Sequence, residues 1–114
     1  MFSFLNTPKA NFLLMKITNA HTFEQEFRQL SEEYGELTQA LNKFVRYELD
    51  DNPIAFNFPS EGRKVEIAEE IADVIIVLQQ LSIMLRCDVK VATQYNLKLE
   101  REIDRLCGTT WDKH

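Results

Sequence analysis

The stretch that most constrains the fold is residues 66–85, EIAEEIADVIIVLQQLSIML. Its apolar side chains point in almost every direction around a helix, which is typical of a helix buried in a protein core. The first half of the same stretch carries carboxylates at Glu66, Glu69, Glu70 and Asp73. A buried carboxylate must be paired, bound to a metal or protonated, because an isolated charge is costly to remove from water. We therefore expect a partner for these acids inside the fold.

Composition favours a single helical domain. The chain has 114 residues, enough for one hydrophobic core but too few for two. Its 45% hydrophobic content is interrupted by only three Gly and three Pro, which suits long helices better than a sheet with frequent turns. The net charge of -5 argues against a nucleic-acid partner, because such proteins carry a basic stripe. We predict one all-α domain over residues 1–114.

The cysteines and the apolar runs indicate a soluble, cytoplasmic protein. Cys87 and Cys107 fit no metal or redox spacing, and we expect both to be reduced thiols. The apolar run 12–15 is too short for a signal peptide. Asp73 and Arg86 bound the longest apolar run, which is too short to cross a membrane. No membrane partner is expected.

The N-terminal part of the chain divides into an arm and a long helix. Residues 1–20 are rich in apolar side chains without a clean period, and we expect an irregular arm there. Thr22 with Gln25 three residues later is a capping-box signature. An apolar seam with alternating spacings of four and three follows, made of Phe23, Phe27, Leu30, Tyr34, Leu37, Leu41 and Phe44. This pattern predicts a helix from about Phe23 to about Tyr47.

Two further helices follow a loop. Prolines and a glycine in residues 50–63 exclude a continuous helix, and loops of this length often serve as lids or binding loops. The central helix is expected from about Lys64 to about Arg86. The third helix is expected from Asp88, a suitable N-cap, to Gly108, a suitable C-terminal residue.

Each of the first two long helices carries a pair of acids three residues apart. Glu33 and Glu36 lie on one flank of the first helix, and Glu70 and Asp73 repeat that offset on the central helix. Glu32 lies one turn from Glu36, within reach of a shared ion. A solvated acidic face is the alternative for the first pair alone. Two such pairs that face each other need cations between them.

The ligand types indicate which cation this is. Carboxylate oxygens are hard ligands that suit Mg²⁺ or Mn²⁺, and Mg²⁺ also binds phosphate. A di-iron bundle would need Glu-x-x-His on two helices, and zinc would need His or Cys ligands. The histidines, His21 and His114, do not follow a Glu at that spacing, and we interpret both as surface residues.

The third helix carries a cationic stripe. Lys98, Arg101 and Arg105 recur at three and four residues, with Asn96 close by. Cations near a magnesium site are what a polyphosphate substrate needs. The alternative is that they pair with acids on the same helix, namely Glu100, Glu102 and Asp104.

Three motifs in order, E-E-x-x-E (residues 32–36), E-x-x-D (residues 70–73) and N-x-K-x-x-R (residues 96–101), resemble those of the MazG-like all-α nucleoside triphosphate pyrophosphohydrolases. The resemblance covers about Phe23 to Arg105. It implies an antiparallel four-helix-type bundle that forms a homodimer or homotetramer. It further implies Mg²⁺-dependent cleavage of an NTP or dNTP to the monophosphate and pyrophosphate.

The resemblance also assigns roles to residues. It implies that the metal ligands are Glu33, Glu36, Glu70 and Asp73. Glu32 and Glu33 are its candidates for orienting or deprotonating the attacking water. The residues that would bind the substrate are Asn96, Lys98, Arg101 and Arg105. Of these, Lys98 and Arg101, with Arg105, would hold phosphates, and Lys98 and Arg101 would also assist catalysis.

Two departures leave other functions open. The segment between Glu36 and Glu70 is longer than expected in that family. Related phosphoribosyl-ATP pyrophosphohydrolases tend to have Tyr-His where this chain has Ile76 and Val77, which makes a phosphoribosyl-nucleotide substrate the weaker alternative. A non-catalytic helical oligomerisation or adaptor module is the other alternative, with the acids forming a charged groove.

Overall fold

The structure is a computed structural model, and it describes residues 7–50, 52, 54 and 59–108. Most of these residues form four α-helices: α1 (Pro8–Asn19), α2 (Phe23–Phe44), α3 (Glu61–Met84) and α4 (Asp88–Cys107). A π-helical segment, Val45–Leu49, continues α2 by about one turn. No described residue belongs to a strand, so the all-α prediction is confirmed.

Helix α1 lies where an irregular arm was expected for residues 1–20. Its N-cap is Thr7, whose side chain accepts a hydrogen bond from the Ala10 N–H at 3.1 Å, and Pro8 is the first helical residue. Proline suits this position because its missing N–H would have no partner there. The prediction is therefore wrong for α1, where the Thr-Pro start signal matters more than the unclear apolar period. Residues 1–6 lie outside the described part.

Helix α2 begins as the sequence predicts. The Thr22 hydroxyl accepts a hydrogen bond from the Gln25 N–H at 3.2 Å, and the Gln25 side chain accepts one from the Thr22 N–H at 2.8 Å. This reciprocal pair satisfies two N–H groups that have no partner within the helix. The capping box is therefore confirmed, and α2 with its π-helical segment ends within two residues of the predicted Tyr47.

Helix α3 begins at Glu61, a little earlier than predicted. The Ser60 hydroxyl accepts a hydrogen bond from the Arg63 N–H at 3.3 Å, which is the pattern of an N-cap. Glu48 accepts hydrogen bonds from the Ser60 N–H at 2.9 Å and from Arg63 Nε at 3.0 Å. These bonds tie the π-helical segment to the start of α3. Part of the predicted loop, including both its Phe residues, is outside the described residues.

Two contacts between α2 and α3 give the relative direction of these helices. Near the start of α2, the Glu26 carboxylate lies against the Gln80 amide. Near the end of α2, Lys43 pairs with Glu66 at 3.9 Å. Residue numbers thus rise along α2 while they fall along α3, so the two helices are antiparallel. This register brings the acidic pairs of the two helices to the same level.

The buried face of α2 is not its apolar seam. The least exposed side chains of α2 include Glu26 and Ala40, at 0% and 2%, with Gln29 and Glu33 half-buried between them. Several seam residues are largely exposed, namely Phe23, Phe27, Tyr34 and Leu41. Because the polar flank of α2 faces α3, most of the seam is left on the surface of this chain.

Helix α3 is only partly buried. Val74, Val77 and Gln80 are its buried residues, whereas Ile71 and Leu78 of its predicted seam are exposed. The expectation that an apolar helix of this kind lies wholly in a core is therefore wrong for the single chain. The physical reason is that the side of α3 that carries Glu70, Asp73 and Gln80 meets α2, which leaves apolar side chains on other sides at the surface.

The chain divides into two compact units, Met1–Leu81 and Ser82–His114. In the second unit, Asp88 is the first residue of α4 and Cys87 precedes it, one residue earlier than the predicted N-cap. Gly108 follows α4 with a φ of 72°, a conformation that glycine adopts without strain. None of the helices in the described part of the chain combines the length and hydropathy needed to cross a lipid bilayer.

Candidate metal centre

Four carboxylates from two helices converge in the first unit. One oxygen from each of Glu33, Glu36, Glu70 and Asp73 lies within 4.8 Å of the other three. We call these four residues the carboxylate cluster. All four were predicted as metal ligands, and the structure brings them together.

The local geometry of each helix explains this convergence. Residues three apart on an α-helix differ by about 60° in direction, so each acidic pair projects from one side of its helix. The antiparallel register of α2 and α3 then sets the two pairs opposite each other. The cluster is therefore a consequence of two short spacings and one helix pairing.

Hydrogen bonding leaves part of the cluster unsatisfied. Gln29, one turn before Glu33 on α2, donates its side-chain N–H to Glu33 Oε1 at 2.6 Å. The other oxygen, Glu33 Oε2, is buried without a hydrogen-bond partner among the described residues, and the same holds for Glu70 Oε2. A buried polar atom without a partner is costly, so these two oxygens are positions where a cation or a proton would stabilise the cluster.

The electrostatics of the cluster favour proton or metal uptake. Burial raises the pKa of Glu33, and the nearby charges of Asp73 and Glu36 raise it further, although the hydrogen bond from Gln29 works against this. Burial also raises the pKa of Glu70, with added repulsion from Glu36 and Asp73. Both pKa shifts mean that the fully ionised cluster is unfavourable unless positive charge is added.

The donor set fits a hard divalent cation. Every candidate ligand atom is a carboxylate oxygen, which suits Mg²⁺ or Mn²⁺ and does not favour zinc or iron bound through histidine. The open side at Glu36, whose side chain is exposed, leaves room for further ligands from water or phosphate. The arrangement can therefore hold a cation and present it to an anionic ligand.

Glu32 and Glu66 do not belong to the carboxylate cluster. Glu32 is exposed and lies outside the cluster, but it lines a neighbouring cavity with Arg28 and Gln29. Glu66 shares a side of α3 with Glu70, yet it is neutralised by Arg63 at 3.1 Å. Among the residues that the structure describes, a cation thus pairs with Glu66, and none pairs with the four acids of the cluster.

The predicted phosphate-binding residues all lie on α4, in the second unit. Asn96, Lys98 and Arg101 are exposed there. Arg105 donates to Glu102, three residues earlier on the same helix, with 3.2 Å between Nε and Oε2, which agrees with the alternative of pairing within the helix. The roles of these residues stay predictions.

Sequence reasoning missed a buried acid. Glu26 is fully buried, and its carboxylate accepts a hydrogen bond from Nδ1 of His21. The interpretation of His21 as a plain surface residue is therefore incomplete, since its ring is held by a buried partner. A signal was present: Glu26 precedes Glu33 by seven residues, which places both on the same face of α2.

Comparison with protein-family models, curated proteins and solved structures gives no match. The resemblance to MazG-like pyrophosphohydrolases thus rests on the three motifs of the sequence. What the structure adds is the spatial convergence of two of those motifs, the ones on α2 and α3.

Proposed function

We propose that the protein is a Mg²⁺-dependent nucleotide pyrophosphohydrolase that cleaves an NTP or dNTP to the monophosphate and pyrophosphate. The observation that carries this proposal is the carboxylate cluster, with two buried oxygens that lack partners and no cation within the described chain to neutralise it. The order of the three acidic and basic motifs adds support. The thiol state of Cys87 and Cys107 fits action in the cytoplasm.

The proposal assigns a role to each of the predicted site residues. Glu33, Glu36, Glu70 and Asp73 hold the ion, and Gln29 fixes the orientation of Glu33. A divalent ion held by these residues would supply positive charge to the phosphate oxygens of the substrate. Glu32 orients or deprotonates the attacking water from its exposed position beside the cluster. The phosphate- and substrate-binding roles that the resemblance gives to Asn96, Lys98, Arg101 and Arg105 on α4 remain part of this proposal.

Self-assembly is part of the proposal. The seam of α2 exposes Phe27 and Tyr34 to 64% and 58%, and α3 exposes Leu78 to 47%. Extended apolar faces of this kind on a small chain are typical of protein interfaces. A homodimer or homotetramer, with the seams packed against each other, would complete a helical bundle that the first unit only begins.

The same exposed apolar faces favour a second candidate, a non-catalytic helical oligomerisation or adaptor module. In that case the acids would be a charged groove without an ion. The two candidates differ in ligand binding, because a ligand that binds only the folded state raises its thermal stability. A melting temperature unchanged by Mg²⁺ with nucleotide would favour the adaptor.

The test of hydrolysis is pyrophosphate release from a panel of NTPs, dNTPs and a phosphoribosyl nucleotide, with and without Mg²⁺. We expect release from a triphosphate that depends on Mg²⁺ and is lost in Glu36→Gln. The matched control is Glu69→Gln, which makes the same change at an exposed position on α3 outside the cluster. Circular dichroism checks that both variants fold. Equal rates for wild type and Glu36→Gln would exclude the cluster as the metal centre.

A further inference from the structure

The buried acid Glu26 holds a histidine at the edge of the cluster. Its carboxylate is 0% exposed and accepts a hydrogen bond from His21 Nδ1. The Gln80 amide, with its nitrogen turned toward Glu26, donates to the two carboxylate oxygens at 2.7 Å and 3.3 Å. Because both donors come from neighbouring segments, Glu26 is satisfied although it is out of water. The His21 ring is consequently fixed in orientation on its Nδ1 side.

The free side of this ring faces open space beside the cluster. His21 lines one cavity of about 230 Å³ whose walls include Glu33 and Asp73. It also lines a second cavity of about 290 Å³ whose walls include Arg28. Gln29 belongs to both cavities as well, so the two adjoin at His21 and Gln29. The cavity lined by Glu33 and Asp73 and the cavity lined by Arg28 thus share two of their lining side chains.

Arg28 has no ion-pair partner among the residues that the structure describes, although acids surround it in sequence. The contrast with Arg63, which contacts both Glu48 and Glu66, is clear. Glu32, one turn further along α2, lines the same cavity but forms no ion pair with Arg28, so the exposed guanidinium keeps its donors for a ligand. Guanidinium groups match phosphate in geometry and bind it through two parallel hydrogen bonds.

We propose that His21 and Arg28 form a phosphate-binding pair that takes the end of a polyphosphate chain whose other end lies at the carboxylate cluster. This inference rests on the proposed function and adds a second anion-binding position, located within the first unit and independent of α4. In the imidazolium form both ring nitrogens donate, so His21 donates Nε2–H to a phosphate oxygen while Glu26 holds Nδ1–H. Arg28 supplies the remaining positive charge.

The experiment measures binding of inorganic pyrophosphate to the full chain by isothermal titration calorimetry in the presence of Mg²⁺. We expect Arg28→Gln and His21→Asn each to weaken the affinity about tenfold or more, the effect of losing one charged hydrogen bond. The matched control is Lys9→Gln, which removes an exposed cation on α1 away from both cavities. It should leave the affinity unchanged.

A second measurement separates this inference from the proposed function. Thermal stabilisation by Mn²⁺ alone should be the same in wild type, Arg28→Gln and Lys9→Gln, because these changes leave the cluster intact. If His21→Asn fails to fold because Glu26 loses its partner, Arg28→Gln decides alone. Wild-type affinity in Arg28→Gln, or no binding of pyrophosphate by the wild type, would overturn the pair. Weakened binding in a protein that hydrolyses no nucleotide would uphold the pair and refute the proposed hydrolysis.

Discussion

Helices α2 and α3 bring carboxylates together at two levels along their length. Among the described residues, these carboxylates have cationic partners at one level and lack them at the other. At one end, Glu48 accepts hydrogen bonds from Ser60 and from Arg63, with Arg63 also bonded to Glu66. We call this set the ion-pair end. In the middle, the four acids of the carboxylate cluster meet no cation from the described residues. Acids of the same helix pair are therefore neutralised by Arg63 at the ion-pair end, whereas the described residues offer no cationic partner to the acids of the cluster.

The pKa shifts express this contrast. Hydrogen bonds from the Ser60 backbone and the Arg63 guanidinium lower the pKa of Glu48. Burial and neighbouring acids raise the pKa of Glu33 and Glu70. The ion-pair end thus stabilises the fold as it stands, whereas the ionised form of the cluster destabilises the fold when no positive charge is added. An arrangement that costs stability in the absence of a ligand is typical of a functional site.

The largest expected effect concerns catalysis. Asp73→Asn keeps the size of the side chain but removes one negative ligand from the cluster. We expect Mg²⁺-dependent pyrophosphate release to fall by about 100-fold or more, the scale of losing one preorganised electrostatic contact. Glu48→Gln, the same kind of change at the ion-pair end, should leave the rate of release close to that of the wild type. Equal losses in the two variants would erase the distinction between the levels.

The next effect is a pH-dependent response to metal. Because the pKa of Glu33 and Glu70 is raised, the folded state holds protons that the unfolded state releases, and without metal the stability falls as pH rises above the ordinary glutamate pKa. Metal competes with those protons, so its stabilising effect should grow over the same range. At about 100 times Kd it should approach 2.7 kcal/mol.

Differential scanning fluorimetry with Mn²⁺ at pH 5 and pH 8 measures this response. A larger rise in melting temperature at pH 8 is expected. The rise should vanish in the double variant Glu36→Gln/Asp73→Asn. A shift that is equal at both pH values would mean that protons and metal do not share the cluster.

A smaller effect is a change in melting temperature that has opposite signs at the cluster and at the ion-pair end. Glu70→Gln removes a desolvated charge that three other acids repel, so in the absence of metal it should raise the melting temperature. Glu48→Gln removes an acceptor that Arg63 and Ser60 need, so it should lower the melting temperature. Thermal melts in the presence of a chelator compare the two directly. Changes of the same sign would contradict the prediction that negative charge is in excess at the cluster and neutralised at the ion-pair end.

The sequence predicts the cluster better than it predicts the packing around it. Three-residue spacings determine which acids share a side of a helix, and the antiparallel pairing of α2 and α3 sets the two acidic pairs opposite each other. The convergence of Glu33, Glu36, Glu70 and Asp73 was therefore predictable from the sequence. The apolar period of α2 was equally clear, but it did not indicate which face meets α3. A seam predicts that a face is buried somewhere, and in the single chain Phe27 and Tyr34 remain exposed.

Other features were missed because their signals are short or long-range. Thr7 and Pro8 start α1 through two residues only, and the irregular apolar pattern of that segment outweighed them. Glu26 shares a face with Glu33, yet its burial depends on His21 and Gln80, which lie in other elements. Pairings of that kind follow from tertiary contacts, which spacing within one helix does not contain.

The smallest expected effect tests which cation matters at the ion-pair end. Lys43 lies 3.9 Å from Glu66 with about half of its side chain exposed, whereas the Arg63 side chain is only 17% exposed and bonds two acids. Exposed pairs contribute little because water screens them, so Lys43→Gln should stay within about 0.5 kcal/mol of the wild type in urea unfolding. Arg63→Gln should destabilise the protein clearly more, since it leaves Glu48 without its guanidinium partner. Equal losses would mean that positive charge in general, and not the bonded geometry of Arg63, holds the ion-pair end together.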